Sequence, residues 1–266
     1  MISLITMTQG NPIALRRTIE SFKDVCDEFV IGDVCIFEED RVVIYELATE
    51  FNVRVITLPF NFIFYNGFSI TLNVLASNAA NDMIIYMNVG EVIGSGGDEI
   101  VDKLKKGYDC YYLDHATETH RWFRCYNRKV FQWSGLIHEE IVGEGDPYHK
   151  PLFTFADTEK DMNDPFKAKV ANAVKELVYF NQLVRVVDNP SLLGATNAGW
   201  LNFAKEQYDS NVSRMNKAGD GLKAFKTGDF KLFWNYIHTS EDFKRERFIS
   251  DSIIEFQGTP LYLGKK

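Results

Sequence analysis

The first ninety residues alternate short apolar runs with helix-like repeats, and this alternation narrows the choice of folds more than any other feature. Residues 2–7 read as a buried strand, followed by Asn11-Pro12, a good N-cap and N1 pair. Leu15, Ile19 and Phe22 then repeat at helical spacing along one face. Residues 29–32 predict a second buried strand ending at Asp33. Ile44, Leu47, Ala48 and Phe51 predict a second helix, and residues 53–58 a third strand stopped by Pro59. Leu72, Leu75, Ala76 and Ala79 predict a third helix, and residues 83–87 a fourth strand. Strands and helices in such regular alternation imply an α/β chain with a largely parallel sheet and right-handed crossovers.

The rest of the chain is less regular. Residues 99–106 read as a short helix, 108–114 as a strand, and 122–126 and 131–133 as two more. The polar, Asp-rich and Pro-terminated stretch 157–165 is the natural boundary. Beyond it Val170, Val174, Leu177 and Val178 share one helical face, and Trp200, Ala204, Tyr208 and Val212 another. The expected division is therefore 1–155 for the α/β part and 156–266 for a mainly helical C-terminal region. With 266 residues and 45% apolar composition the chain can bury a full core without staples.

The net charge of −8 argues against a protein whose whole surface grips nucleic acid, because phosphate binding needs clustered cations. It leaves room for a local basic patch. Cys26, Cys35, Cys110 and Cys125 stand far apart, without the short spacing a structural zinc site needs, and read as reduced, buried residues. The opening MISLITMTQG lacks a basic region before its apolar run, which is far shorter than a membrane span. A soluble, cytoplasmic protein is expected.

In open parallel sheets, ligands gather at the carboxyl ends of the strands, where loops and helix N-termini converge. Those ends are polar here: Thr6 to Asn11 after the first strand, Asp33 after the second, Asn88 to Glu91 after the fourth. They suit a base, a ribose and a diphosphate, or they are ordinary turn and cap residues; spacing alone leaves both open.

Several blocks carry a family resemblance. ISLITMTQGNPIALRRTIESF, EFVIGD and FYNGFSITLNVLASNAANDMIIYMNVGEVI resemble the nucleotide-binding half of a family-2 glycosyltransferase of the GT-A fold. Asn66, Gly67, Asn73, Ala79 and Glu91 fall in register with that family's pattern. RWFRCYNRKVFQWSGLIHEEI is similar to a segment of one bacterial branch. The resemblance implies a GT-A nucleotide-diphospho-sugar transferase that moves a sugar to an acceptor hydroxyl with inversion. It assigns Thr6, Thr8, Asp33, Asn73 and Asn88 to the donor nucleotide.

One departure stands out. The family's two metal-binding aspartates map onto Asn88 and Gly90, leaving Glu91 as the sole carboxylate. Three readings follow. Glu91 and His138 hold a divalent cation (Mn or Mg) with the diphosphate oxygens; or Arg121, Arg124, Lys150 or helix N-terminal amides replace it; or transfer is lost and a nucleotide-sugar binder remains.

For acceptor chemistry Glu139 is the candidate base, with Asp114 as the alternative. Neighbours in a strand point to opposite faces, so His138 and Glu139 share a site only if the chain bends, and Gly135 makes a bend plausible. A surface carboxylate pair with Glu140 is the plainer reading. Gly94-Ser95-Gly96-Gly97 lacks a following Lys-Ser/Thr and reads as a flexible loop, and His115 and His120 read as structural. Between Arg214 and Arg247, eight Lys/Arg against five Asp/Glu are interleaved with aromatics. That pattern fits either a helical cap or a surface for a polyanionic acceptor, a glycopolymer or DNA. The expected partners are a nucleoside-diphosphate sugar and a hydroxyl-bearing acceptor.

Overall fold

The computed structural model describes residues 1–158 apart from 36, 59, 120, 137 and 138, together with 167, 178–179, 182–183, 185–187, 189–192, 202–203 and 205–206. The side chains at 60, 61, 64 and 65 are also outside the description. His138, His120, residues 197–200 and the basic aromatic stretch 214–247 therefore lie outside the described residues. So does most of the expected helical region, whose described positions at 167, 178–179, 182–183, 185–187, 202–203 and 205–206 are helical.

The order begins β1 (Ile2–Thr8), α1 (Pro12–Phe22), β2 (Glu28–Asp33), α2 (Glu38–Phe51), β3 (Arg54–Thr57), α3 (Phe60–Asn78) and β4 (Met83–Tyr86). It continues with β5 (Glu91–Ser95), a 3-10 turn (Gly97–Glu99), α4 (Ile100–Leu104), β6 (Cys110–His115) and β7 (Arg121–Asn127). Then come β8 (Phe131–Ser134), β9 (Glu140–Gly143), β10 (Pro147–Asp157) and a second 3-10 turn (Pro190–Leu192). Eight strands form one sheet in the order β3-β2-β1-β4-β7-β6-β10-β5, and β8 and β9 form a separate ribbon. Within the large sheet β7 and β5 run against the other six, so the sheet is mostly parallel. The fold is α/β, on the plan that the GT-A resemblance implies.

Local chemistry explains the elements. Asn11 caps α1, its Oδ1 accepting from the Ala14 amide at 3.0 Å, with Pro12 in the first turn. Glu38, Glu39 and Asp40 open α2, where negative charge suits the helix dipole, and left-handed Asn52 closes it. Helix α1 buries Leu15, Ile19 and Phe22 against Ile2, Leu4 and Ile31 of the sheet. Phe153 joins the same core, its ring meeting Phe22 edge-on at 5.6 Å between centroids.

Three expectations need correction. The glycine-rich stretch is not all loop, because Gly94 and Ser95 belong to β5, which pairs with β10. Strands β9 and β10 were not legible, and β10 runs two residues past the expected boundary at 155. Helix α3 starts well before Leu72 and passes through a kink at Gly67, whose φ of 78° breaks the helical repeat. All four cysteines are buried and free, as expected. No helix among the described residues is long and apolar enough to cross a membrane.

Candidate functional site

Strand direction decides which ends meet. Strands β1, β2, β3 and β4 run together, so Thr8, Asp33, Thr57 and the turn after Tyr86 share one rim. Strand β7 is antiparallel to β4, which brings its start, Arg121 to Arg124, to that rim. Strand β6 is antiparallel to β7 and parallel to β10, so Asp114, His115 and Asp157 arrive there too. Strand β5 opposes β10 with Glu91 across from Asp157. Polar residues widely separated in sequence thus converge on one edge.

At the centre lies the turn 88–91, closed by the Glu91 amide donating to the Asn88 carbonyl at 3.0 Å. Glu91 is buried and accepts three hydrogen bonds: from the Asn88 amide at 2.6 Å, from Asn88 Nδ2 at 2.8 Å, and from Arg124 Nη1 at 2.7 Å. Arg124 is buried as well, with its guanidinium carbon 4.5 Å from the centre of the Trp122 ring. The Tyr86 hydroxyl donates to Asn88 Oδ1 at 2.6 Å. Burial raises the Tyr86 phenol well above its usual value, which keeps it a donor.

The remaining donor-side candidates have different surroundings. Thr8 is buried and its Oγ1 accepts from the Gly10 amide at 3.2 Å, shaping the loop after β1. Thr6 is buried one pleat below, and its hydroxyl has no hydrogen-bond partner among the described residues. Asp33 is fully buried; it accepts from the Cys35 amide at 2.9 Å and from Arg41 Nε at 2.8 Å. Arg41 is thereby fixed at the rim, and its Nη1 reaches Glu38 at 3.0 Å. Asn73 makes a two-way amide clamp on the backbone of Trp133, donating at 2.8 Å and accepting at 2.9 Å. Its described bonds therefore hold β8 against α3.

That clamp also helps place the candidate base. Ser69 donates to the Gly135 carbonyl at 2.6 Å, and Gly135 adopts φ 90°. Leu136 packs against Leu183 and Val186, and its amide donates to the Leu192 carbonyl at 3.0 Å. The chain does bend after β8, at Gly135, and Glu139 follows, half-buried. Burial raises the Glu139 carboxyl above its ordinary 4.5. The alternative, Asp114, lies 3.4 Å from Arg121 Nε.

His115 is a latch. Its Nδ1 accepts from the Thr117 amide at 3.3 Å, so Nε2 carries the proton and donates to Asp157 at 3.1 Å. The residue that sequence reasoning undervalued is Arg124. It figured only as one of several cations, because its partner Glu91 lies 33 residues away in a strand that does not pair with its own.

Glu91 as placed is committed within the fold, and His138, the ligand expected beside it, lies outside the described residues. A Mg²⁺-like ion takes six or so ligands, of which one or two are carboxylates and the rest waters and substrate phosphates. Here both Glu91 oxygens are committed, Asn88 Oδ1 is engaged by Tyr86, and Gly90 offers no side chain. Among the described residues no group of three or more His, Cys, Asp or Glu side chains stands together to hold a metal. As placed, Glu91 anchors Arg124 and is not an open ligand.

No protein-family model matches this chain, and no curated protein does. Several solved structures are similar in fold. S. aureus TarS is 10% identical with a TM-score of 0.43, covering 71% of this chain and 40% of that one. The chain thus spans less than half the length of that relative. TarS 1–349 in complex with UDP-GlcNAc is 10% identical with a TM-score of 0.41, covering 96% and 83%. Glucosyl-3-phosphoglycerate synthase from Mycobacterium tuberculosis, in complex with Mn²⁺, UDP and glucosyl-3-phosphoglycerate, is 11% identical with a TM-score of 0.44, covering 75% and 82%.

Proposed function

We propose that this chain is a glycosyltransferase that moves a sugar from a nucleoside-diphosphate donor to an acceptor hydroxyl with inversion. The observation that carries this reading is the convergence of Thr8, Asp33, the turn 88–91 and Arg124 on one rim, with half-buried Glu139 following the bend at Gly135. Glu139 takes the proton of the acceptor hydroxyl as that oxygen bonds the anomeric carbon. The bond from that carbon to the diphosphate oxygen breaks, and the leaving nucleoside diphosphate carries away the electron pair. Thr8, Asn88 and the Asp33–Arg41 pair bound the donor end, while Thr6 and Asn73 support it from below and beside. No step runs through a metal.

Residues 1–155 carry the donor, and 156–266 form the acceptor side. The acceptor is polyanionic, a glycopolymer or DNA, on the strength of the basic aromatic stretch 214–247. The protein works in the cytoplasm. The commitment of Glu91 and the loss of both aspartates favour a second reading, a binder of nucleotide sugars without turnover.

A thermal-shift panel of UDP-, GDP-, CDP- and dTDP-sugars separates these readings. Ligand at 100 times Kd stabilises by ~2.7 kcal/mol. A shift followed by transfer or donor hydrolysis supports the enzyme. A shift without turnover across acceptors supports the binder, and no shift with any nucleotide sugar sinks both.

A further inference from the structure

The turn 88–91 is fixed from every side. The Gly90 amide donates to Thr18 Oγ1 of α1 at 2.9 Å, and the Gly90 carbonyl accepts from the Thr158 amide at 2.8 Å and its hydroxyl at 2.7 Å. Gly90 itself adopts φ 90°, a region that suits glycine and strains any L side chain. The backbone that seats this turn is thus incompatible with an unstrained aspartate at the second metal-ligand position. At the first position, Asn88 spends its oxygen on Tyr86 and its amide nitrogen on Glu91.

The remaining carboxylate is neutralised within the fold. Glu91 and Arg124 are both under a tenth exposed and stand 2.7 Å apart. The guanidinium is boxed by Trp122, Phe155 and Tyr86, its central carbon 4.5, 5.1 and 5.4 Å from the three ring centres. For Glu91 to ligate an ion, it would have to release Arg124 and leave a buried cation unpaired, which is unfavourable. The charges agree with the geometry. With Asn and Gly in place of two aspartates, the turn offers an ion no carboxylate besides Glu91.

We infer that the donor end of this rim takes a nucleoside diphosphate without a divalent cation. Arg124 is the positioning residue here: its ion pair keeps Glu91 from serving as a ligand to such an ion. The inference rests on the donor-binding reading above and adds how that site is charged.

The test uses the full chain and three titrations. First, UDP, GDP, CDP and dTDP are titrated calorimetrically in EDTA and in saturating Mn²⁺. The expected affinities agree within about twofold, and a tightening of about tenfold or more in Mn²⁺ overturns the inference. Second, Mn²⁺ alone is titrated and followed by electron paramagnetic resonance. No stoichiometric site that Glu91→Gln abolishes is expected, and finding one overturns the inference. If no nucleoside diphosphate binds in either condition, the donor reading fails, and the Mn²⁺ titration still decides the metal question.

Third, Arg124→Lys and Arg124→Met are compared. The Lys variant keeps most of the affinity in EDTA. The Met variant becomes Mn²⁺-dependent, binding about tenfold or more tighter in Mn²⁺ than in EDTA, because Glu91 is released. A merely structural arginine would show no such gain of metal dependence. Affinity that stays the same in EDTA and Mn²⁺ in the folded Met variant overturns the role of Arg124. Should that variant fail to fold, the wild-type comparison in EDTA and Mn²⁺ still decides whether the donor end needs a cation.

Discussion

A carboxylate that is to accept a proton gains from being hard to ionise, and burial gives Glu139 that property. Burial also costs stability. A carboxyl raised in the folded state contributes most below its unfolded value near 4.5 and loses that contribution as pH rises through the folded value. Glu139→Gln should therefore lower kcat by about 10²–10⁴-fold. The same variant should melt at a higher temperature than wild type above pH 4.5, with the gap closing at more acid pH. Melting curves across pH and single-turnover assays check both halves; retained activity moves the base to Asp114. A second prediction concerns Asp33, which is fully buried and holds Arg41 and the Cys35 amide. Asp33→Ala strands a half-buried guanidinium and should cost about 2–4 kcal/mol in urea unfolding. Sequence placed Thr8, Asp33 and Asn88 at strand ends, as they are. It left the partners of Asn73 and Arg124 hidden, because these lie 60 and 33 residues away and one is main chain.

Helix α3 shows how an element far from the chemistry sets its geometry. At Gly67 it kinks, and a Cβ there would come within 2.8 Å of Leu136 Cδ2 and 3.2 Å of Gln182 Nε2. The kink makes room for the bend that leads to Glu139, and Ser69 and Asn73 fasten that bend from the following turns. Gly67→Ala adds both strain at φ 78° and a clash, so about 1–3 kcal/mol of stability should be lost. Turnover should fall further than stability alone explains, while nucleotide affinity holds. Asn73→Ala should behave alike, through two lost bonds to Trp133, whereas Ser77→Ala on the outer face should be neutral. Urea unfolding and steady-state kinetics on the three variants check the ordering. Helical periodicity identified the second half of α3 and not the first, whose aromatic run lacks a clean apolar stripe. Strand β10 escaped for a similar reason, since Pro147, His149, Lys150 and Pro151 interrupt its apolar run. Its edge-to-edge pairing with β6 and β5 outweighs those local preferences.

At the scale of the molecule, the α/β part and the C-terminal region meet, among the described residues, at Thr158, at Lys167 and around Leu136. Lys167 reaches Asp40 at 2.6 Å and Glu39 at 3.2 Å at the start of α2, beside the loop that follows β1. Leu183 and Val186 cover Leu136, next to the bend that carries Glu139. The charge divides further along the chain: residues 1–199 hold 18 Lys/Arg and 28 Asp/Glu, while 200–266 hold 11 and 9. An alternating α/β pattern announces the sheet from the first ninety residues, but contacts across the boundary join surfaces that no local pattern pairs. The sheet's own core draws on residues 2–155, so the α/β part carries most of its packing within itself. Truncation after Thr158 should therefore leave a cooperatively unfolding sheet, with β1 to β4 keeping their amide protection in hydrogen exchange. Leu136 at the bend should lose protection, because it loses both its apolar cover and the Leu192 carbonyl. Turnover should fall sharply while nucleotide affinity falls little. A second truncation after Leu192 should restore the protection of Leu136. Equal exchange at Leu136 in the two truncations would show that residues 159–192 do not position Glu139.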